Sequence, residues 1–478
     1  MKKVFIAFIF LFSGIVTIAQ DITGNWQGLI PAGGKNLRLI FHVIKSGETY
    51  SAKFDSPDQN AFGLEVNKTR IDNDSIIAEI TIIHGGYNGK WDGHDDIKGI
   101  FKQGPASFDL NLKRLSDAEK TKPTVAIIKS QTPKPPFSYS SENIVYDNID
   151  HSVHYAATLT RPAGDGKFPA VVIISGSGSQ DRDGTLGAHK SYAVLADYLT
   201  RKGIAVLRVD DRGVGGTSLG NDIDNITSEV FSKDVETGMA YLQSRSDIDT
   251  KKIGLIGHSE GGMIAPMIAS RREDVAFIIL LAGPGISGEK IWDYQMERNY
   301  IKPGLNEKDY QKAARLVHNV FSAFIKSTDY TTVKLDMAHA YQNWRKEVPD
   351  TMEIRLLTVK GEEAFIKWAE VMKAAHALHW INYFLSYQPA GNLQKVKCPL
   401  LALNGESDIQ VRYKENLSGI EAALKKGNNK HYQLTALPGL NHMFQTCKTP
   451  LDNYETLEET FSPKALQLIS DWIHTTVK

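Results

Sequence analysis

The stretch GLIGHSEGGMIA, residues 254–265, decides how the chain is read. An apolar run, Ile253 to Ile256, ends in Gly257-His258-Ser259-Glu260-Gly261, and a small-residue helical pattern follows. This is G-x-S-x-G at the junction of a buried strand and a helix. A sharp turn at that point holds the serine in a strained conformation and lifts its hydroxyl above the sheet. The flanking residues are glycine because a side chain there would strike neighbouring backbone. The helix N-terminus supplies free N–H groups and a favourable dipole. His258, inside the turn, reads as packing.

A serine hydroxyl is a weak nucleophile until a base takes its proton, so the pattern calls for a histidine and an acid to orient it. In strand–turn–helix proteins of this type the order is serine, acid, histidine. Downstream, LLALNGESDIQV ends a strand with Gly405-Glu406-Ser407-Asp408, and LTALPGLNHMF ends the next with Gly439-Leu440-Asn441-His442. Both motifs follow strand C-termini, where open α/β sheets place their sites. Asp408 is the expected acid, with Glu406 as competitor, and His442 is the expected base. His431 begins a strand and His474 lies in the last helix, so neither is well placed. Charge developing on a substrate carbonyl oxygen needs donors. The backbone N–H of Glu260 is one, and the loop IISGSGSQDRDGT offers the other: Ser177 N–H, with Gly176 or Gly178 as alternatives. Asp181, Arg182 and Asp183, and then Asp211 and Arg212 in RVDDRGVGGTS, read as braces of these loops.

Around the motif, strands are expected at 143–147, 154–161, 169–175, 204–209, 252–257, 276–282, 399–404 and 431–437. Helices are expected at about 189–202, 228–245, 260–271, 411–426 and 463–476. Strands alternating with helices, and apolar runs such as Val171–Ile174, predict an α/β fold with a doubly wound, mostly parallel sheet over residues 141–478. Residues 285–393 interrupt this rhythm with helical patterns alone, a lid inserted between two strands. Trp368, Met372, His379, Trp380, Tyr383 and Phe384 give it an apolar face, and Trp380 and Phe384, with Gly176, are the candidate substrate contacts. Residues 20–120 alternate with period two, as in Leu37, Leu39, Phe41 and Val43. They are punctuated at Gly33-Gly34, Asp72-Asn73-Asp74 and Gly85-Gly86, which predicts a small all-β domain with Trp26 as an anchor. Its bland role is structural. Residues 121–140, rich in proline, read as a linker.

The chain has 478 residues, 42% hydrophobic and 23% charged, with a formal net charge of zero. That composition is globular and gives no electrostatic reason to bind nucleic acid. Lys2 and Lys3, an apolar run from Val4 to Ile18 and a small-x-small end at Thr17-Ile18-Ala19 read as an export signal over residues 1–19. The expected location is therefore periplasmic or secreted, with no membrane span after cleavage. Cys398 and Cys447 are expected to be free thiols, and neither has a partner at metal spacing. No metal or cofactor is called for.

The set SGSGSQDRDG, DDRGVGGTS, GHSEGG, NGESD and PGLNHMF resembles the α/β-hydrolase superfamily over residues 141–478. It is similar to bacterial serine esterases, with ties to dienelactone-hydrolase-like and prolyl-oligopeptidase-like groups. The resemblance implies ester hydrolysis through an acyl-enzyme on Ser259, Asp408 and His442, and a small-molecule ester as substrate. The oxyanion loop departs from the H-G-G-G form of many lipases, so long-chain lipase activity is not implied. A serine peptidase acting on short peptides would use the same triad. A binding protein on an inactive scaffold is the non-enzyme alternative, against which the intact Ser–Asp–His order argues. The sequence leaves the oligomeric state open.

Overall fold

The computed structural model describes residues 21–32, 35–59, 61–80, 85–103, 106–116 and 128–478. The export-signal reading of residues 1–19, the Gly33-Gly34 turn and residues 117–127 of the expected linker lie outside them. The chain divides into two units, Met1–Val125 and Ala126–Lys478.

The first unit is one antiparallel nine-stranded sheet. Its strands are β1 (Gly24–Ala32), β2 (Lys35–Ser46), β3 (Thr49–Ser56), β4 (Ala61–Glu65), β5 (Lys68–Asp72), β6 (Ser75–Ile80), β7 (Gly85–Trp91), β8 (Asp96–Gln103) and β9 (Ala106–Arg114). The spatial order is β4-β3-β2-β1-β9-β8-β7-β6-β5. Period-two alternation sends Leu39, Phe41 and Val43 to a single core with Trp26, Tyr87 and Phe101. Trp26 is fully buried, its indole donates to Ile22 O (2.8 Å), and the Arg114 guanidinium lies over the ring. Gly85-Gly86 opens a strand instead of marking a turn. A Cβ on Gly85 would sit 2.3 Å from Lys102 O, and one on Gly86 2.4 Å from Ala78 O, so glycine is kept there for close strand approach.

The second unit contains an eight-stranded sheet. Its strands are β10 (Ser140–Asp147), β11 (His154–Arg161), β12 (Phe168–Ile174), β15 (Ala205–Val209), β16 (Ile248–His258), β17 (Ile278–Leu281), β18 (Leu400–Gly405) and β19 (Tyr432–Leu437). A two-stranded ribbon, β13 (Thr185–Leu186) with β14 (His189–Lys190), stands apart. The order in the large sheet is β10-β11-β15-β12-β16-β17-β18-β19. β10 and β11 are antiparallel additions at one edge, and every pair from β15 to β19 is parallel. Alternate residues serve opposite faces. Val172, Ile174, Leu255 and Leu280 pack with Met239, Ile264 and Leu424 from the helices Ser228–Ser244, Gly261–Ala269 and Tyr413–Lys426. Val171, Ile173, Ile256 and Leu281 pack with Leu195 and Ile469 from Ser191–Arg201 and Pro463–Thr476. The result is a three-layer α/β/α body, each buried aliphatic side chain stabilising it by about 1.5–3 kcal/mol.

Residues 128–140, expected as part of a linker, are tied to this body. Lys129 Nζ donates to Leu457 O (2.6 Å) and Gln131 Nε2 to Phe461 O (2.8 Å), while Gln131 Oε1 accepts from Thr460 N (2.6 Å). Between β17 and β18 the chain runs through helices, from Gly288–Tyr300 to Pro389–Leu393, with one isolated antiparallel bridge between Ile301 and Leu357. Among the described residues no helix is long and apolar enough to cross a membrane.

The helix that follows β16 starts hard against the end of β12. A Cβ on Gly261 would lie 2.3 Å from Ile174 O. Gly261→Ala is therefore expected to lower stability by about 1–3 kcal/mol through overpacking. Gly391→Ala is the control, since nothing lies within 4 Å of its Cβ position, and it should be neutral or slightly stabilising. Denaturant unfolding of the two variants checks the contrast.

Candidate active site

Ser259 has φ +53°, the left-handed region that a serine rarely enters. Its N–H donates to Leu281 O at the end of β17 (2.8 Å), and its carbonyl accepts from Gly262 N (2.8 Å). A Cβ on Gly257 would lie 2.0 Å from Gly261 O. The turn therefore exists only with glycine at both flanks, and it leaves the Ser259 side chain partly exposed at the floor of a cavity. Glu260 stands at the N-terminus of the helix Gly261–Ala269, where backbone donors have no intrahelical acceptor.

His442 and Asp408 arrive from the loops after β19 and β18. His442 Nδ1 lies 2.8 Å from Asp408 Oδ2, and both residues are buried. Asp408 Oδ1 accepts from Gln410 N (2.8 Å) and Val411 N (2.9 Å), and Asn404 Nδ2 donates to Oδ2 (3.2 Å). With Nδ1 held, Nε2 is the ring nitrogen left for other work. Glu406, the competing acid, is exposed. His474 Nδ1 bonds Ser470 O within the last helix.

His258 packs under His442. Its Nε2 is 3.0 Å from His442 O, and because a carbonyl only accepts, Nε2 carries the ring proton. Nδ1 then faces the Tyr192 hydroxyl (3.3 Å). Burial, with His442 adding to it, pushes His258 down to about 3, so the ring is neutral. Tyr192 also takes the Gly176 N–H (3.2 Å) and lies 2.9 Å from Gln180 Oε1. Gly176 N–H is thus already committed, and Ser177, exposed in the same loop, is the freer of the two. Gly176 itself backs the serine: a Cβ there would be 3.2 Å from Ser259 Cβ. Tyr192 carries no sequence signal of its own, being one aromatic in a buried helix.

The loop after β12 is braced by acids. Asp211 accepts from Ser175 Oγ (2.6 Å) and Gln180 N (2.9 Å). Burial raises its carboxyl to about 7 against those two hydrogen bonds, and the Glu260 and Asp210 carboxyls push the same way. Arg182 pairs with Asp210 (2.6 Å), Arg208 with Asp183, and Arg212 with Asp234 (2.6 Å). Asp181 accepts from Thr185 N (2.9 Å) and Asp183 N (3.1 Å).

The cavity over Ser259 measures about 400 Å³. Gly176, Ser177, Ser259, Glu260, His442, Trp380 and Phe384 line it, so it gathers seven of the candidate site residues singled out from the sequence. The Trp380 and Phe384 rings are stacked, centroids 5.5 Å apart. Trp368 and Met372 pack in the insertion's own core and do not line the cavity, whereas Trp380 and Phe384 touch both. Ile291, Trp292, Gln295, Gln410 and Tyr454 also line the cavity and were not readable from sequence, because only the fold brings these segments together. Among the described residues no group of three or more His, Cys, Asp and Glu side chains could hold a metal ion. Cys398 and Cys447 form no disulfide.

Residues 183–446 match the family model described as serine aminopeptidase, S33. The chain belongs to this family of α/β-hydrolases. Esterase EstD of Thermotoga maritima is 32% identical over 142 residues, 29% of this chain and 32% of the relative. Inactive dipeptidyl peptidase 10 of Rattus norvegicus is 31% identical over 120 residues, 24% of this chain and 15% of that protein. The chain thus spans about a third or less of the length of these curated relatives. Among solved structures, DcsB in complex with its substrate analogue aligns with a TM-score of 0.41 at 15% identity, covering 71% of this chain and 99% of DcsB. Est1E from Butyrivibrio proteoclasticus aligns at 0.37 and 15%, covering 70% and 98%.

The Asp211 environment has a measurable sign. Its folded-state carboxyl titrates above the unfolded one, so the native state holds the proton more tightly. Stability falls as pH rises from the ordinary carboxylate range through about 7. Asp211→Asn removes that slope. Unfolding free energies of both proteins at about pH 5 and about pH 8 should show the variant gaining on the wild type at the higher pH. An equal difference at both would refute the assignment.

Proposed function

We propose that the chain is a serine carboxylesterase that hydrolyses short-chain carboxylic esters through an acyl-enzyme. The observation that carries this reading is the convergence of the left-handed Ser259 and the Asp408-held His442 on one lined cavity. His442 takes the Ser259 proton as the hydroxyl oxygen attacks the ester carbonyl. Asp408 holds the imidazole tautomer and stabilises the imidazolium. The developing oxyanion is received by the backbone N–H groups of Glu260 and Ser177. His442 then returns the proton to the departing alcohol, and water repeats the sequence on the acyl-enzyme to release the acid. The likeness to an esterase over part of the chain supports the bond type. The export signal read over residues 1–19 puts this chemistry in the periplasm or outside the cell, which N-terminal sequencing of the mature protein tests.

The description of the matching family favours one second reading, a serine peptidase on the same residues. Aryl esters against aminoacyl anilides separate the two, and hydrolysis of the anilides alone would refute the esterase.

Fluorophosphonate should label Ser259 in the wild type and not in Ser259→Ala. Ser259→Ala and His442→Ala should each lower kcat by about four to six orders of magnitude, and the double variant should be little worse, because the residues act as a unit. Asp408→Asn should cost about 10,000-fold by favouring the wrong tautomer, and Glu406→Gln far less. Reversal of the last two effects would move the acid by two residues.

The insertion is proposed as the lid that limits acyl length. Trp380→Ala or Phe384→Ala should shift kcat/KM across an acyl-length series by about 1 kcal/mol per methylene accommodated. A uniform drop at every length, with lowered thermal stability, would make these side chains core only.

A further inference from the structure

The Glu260 side chain is buried at 2% exposure, one residue past Ser259. Its Oε1 accepts from Ser228 Oγ (2.5 Å) and from Trp380 Nε1 (2.8 Å). The Ser177 hydroxyl also favours its charged form, and no cation is among the groups acting on it. The donors come from three places. Ser228 opens the helix Ser228–Ser244, Ser177 lies in the loop after β12, and Trp380 belongs to the insertion helix Leu378–Ser386. A carboxyl buried without a cation is costly. Burial accordingly pushes its pKa up, against the hydrogen bonds from Ser228, Trp380 and Ser177. What the carboxyl offers in return is one oxygen, Oε1, on which donors from two separate helices converge.

Trp380 is the informative partner. Its ring is only partly buried, is stacked on Phe384, and lines the cavity over Ser259. Packing alone leaves an indole free to present either edge. The Nε1–Glu260 bond selects one orientation. The backbone of the same residue carries an expected oxyanion donor, so the aromatic wall and the carbonyl-binding end of the cavity share one anchor.

We infer that the Glu260 side chain is a positioning residue: through the Trp380 indole it fixes the insertion's aromatic wall relative to Ser259, and thereby sets the acyl length the cavity accepts. This rests on the esterase reading above. The wall acts as a stop at a fixed distance from the reacting carbonyl, and freeing it lengthens the accepted chain.

The test measures kcat and KM on p-nitrophenyl esters from acetate to octanoate, with thermal melting of each protein. Trp380→Phe keeps a ring and loses the donor. Glu260→Ala loses the acceptor. Each should move the kcat/KM ratio of long to short ester upward by about tenfold, mainly through KM, and the double variant should move it no further. Glu260→Gln, whose carbonyl oxygen still accepts from Ser228 and Trp380, should restore the wild-type ratio. An unchanged ratio with a lowered melting temperature overturns the inference, as do singles whose effects multiply or a Gln variant that behaves like Ala. Should Glu260→Ala fail to fold, Trp380→Phe decides. Wild-type protein that neither labels with fluorophosphonate nor turns over esters refutes the esterase reading. Wild type that does both while the variants keep its ratio refutes only the role of Glu260.

Discussion

Backbone crowding where β16 becomes a helix is the constraint on which the rest depends. Side-chain positions on Gly257 and Gly261 are filled by main-chain oxygens at 2.0 and 2.3 Å, and one on Gly262 would lie 2.6 Å from Gly283 Cα. The ends of β12, β16 and β17 are therefore packed backbone to backbone. The left-handed turn at Ser259 costs about 1–2 kcal/mol, and its bond to Leu281 O ties that strain to the sheet. The three loops that complete the cavity all spring from strand ends fixed by this contact or by the parallel strands beside it.

Charge is handled at the site mainly by hydrogen bonds and neutrality. Asp408 is surrounded by two backbone N–H groups, an amide and the His442 ring. His258 is kept neutral by burial. Asp211 and Glu260 both line a small void of about 50 Å³, and both are pushed toward their protonated forms. The arginines of the neighbouring loops are spent on other acids, Arg182 on Asp210 and Arg212 on Asp234. Those pairs hold loop shape.

Much of this was legible in the sequence because its signals are local. Apolar runs bounded by Gly or Asp located the large-sheet strands from β11 to β19 to within a few residues, though not the short ribbon β13–β14, whose His189–Lys190 read as the start of a helix, and the spacing of GHSEGG, NGESD and PGLNHMF placed Ser259, Asp408 and His442 at strand ends. What was not legible depends on contacts between distant segments. Nothing near Tyr192 announces that it will meet Gly176 and His258, and Asn404 reads as one polar residue in an apolar strand. The helical face bearing Trp368, Met372, Trp380 and Phe384 was visible, but its division was not. All four touch the insertion's core, Met372 and Phe384 as buried members and Trp368 and Trp380 at its edge, but only Trp380 and Phe384 also reach the cavity, according to how each helix docks. In the N-terminal unit, Gly85-Gly86 looked like a turn because a glycine needed for close strands and a glycine needed for a bend are the same letter.

The insertion is stabilised by a core of its own. That core draws Met263 and Met267 from the helix behind Ser259 and Val411 from the loop after β18, and its remaining members come from the insertion. The scaffold that carries the chemistry and the wall that shapes the cavity are thus held by largely separate sets of side chains. A lineage can redraw the wall by drift inside one core while selection keeps the other intact. The two stacked rings above the serine are where a change in that core would reach the cavity.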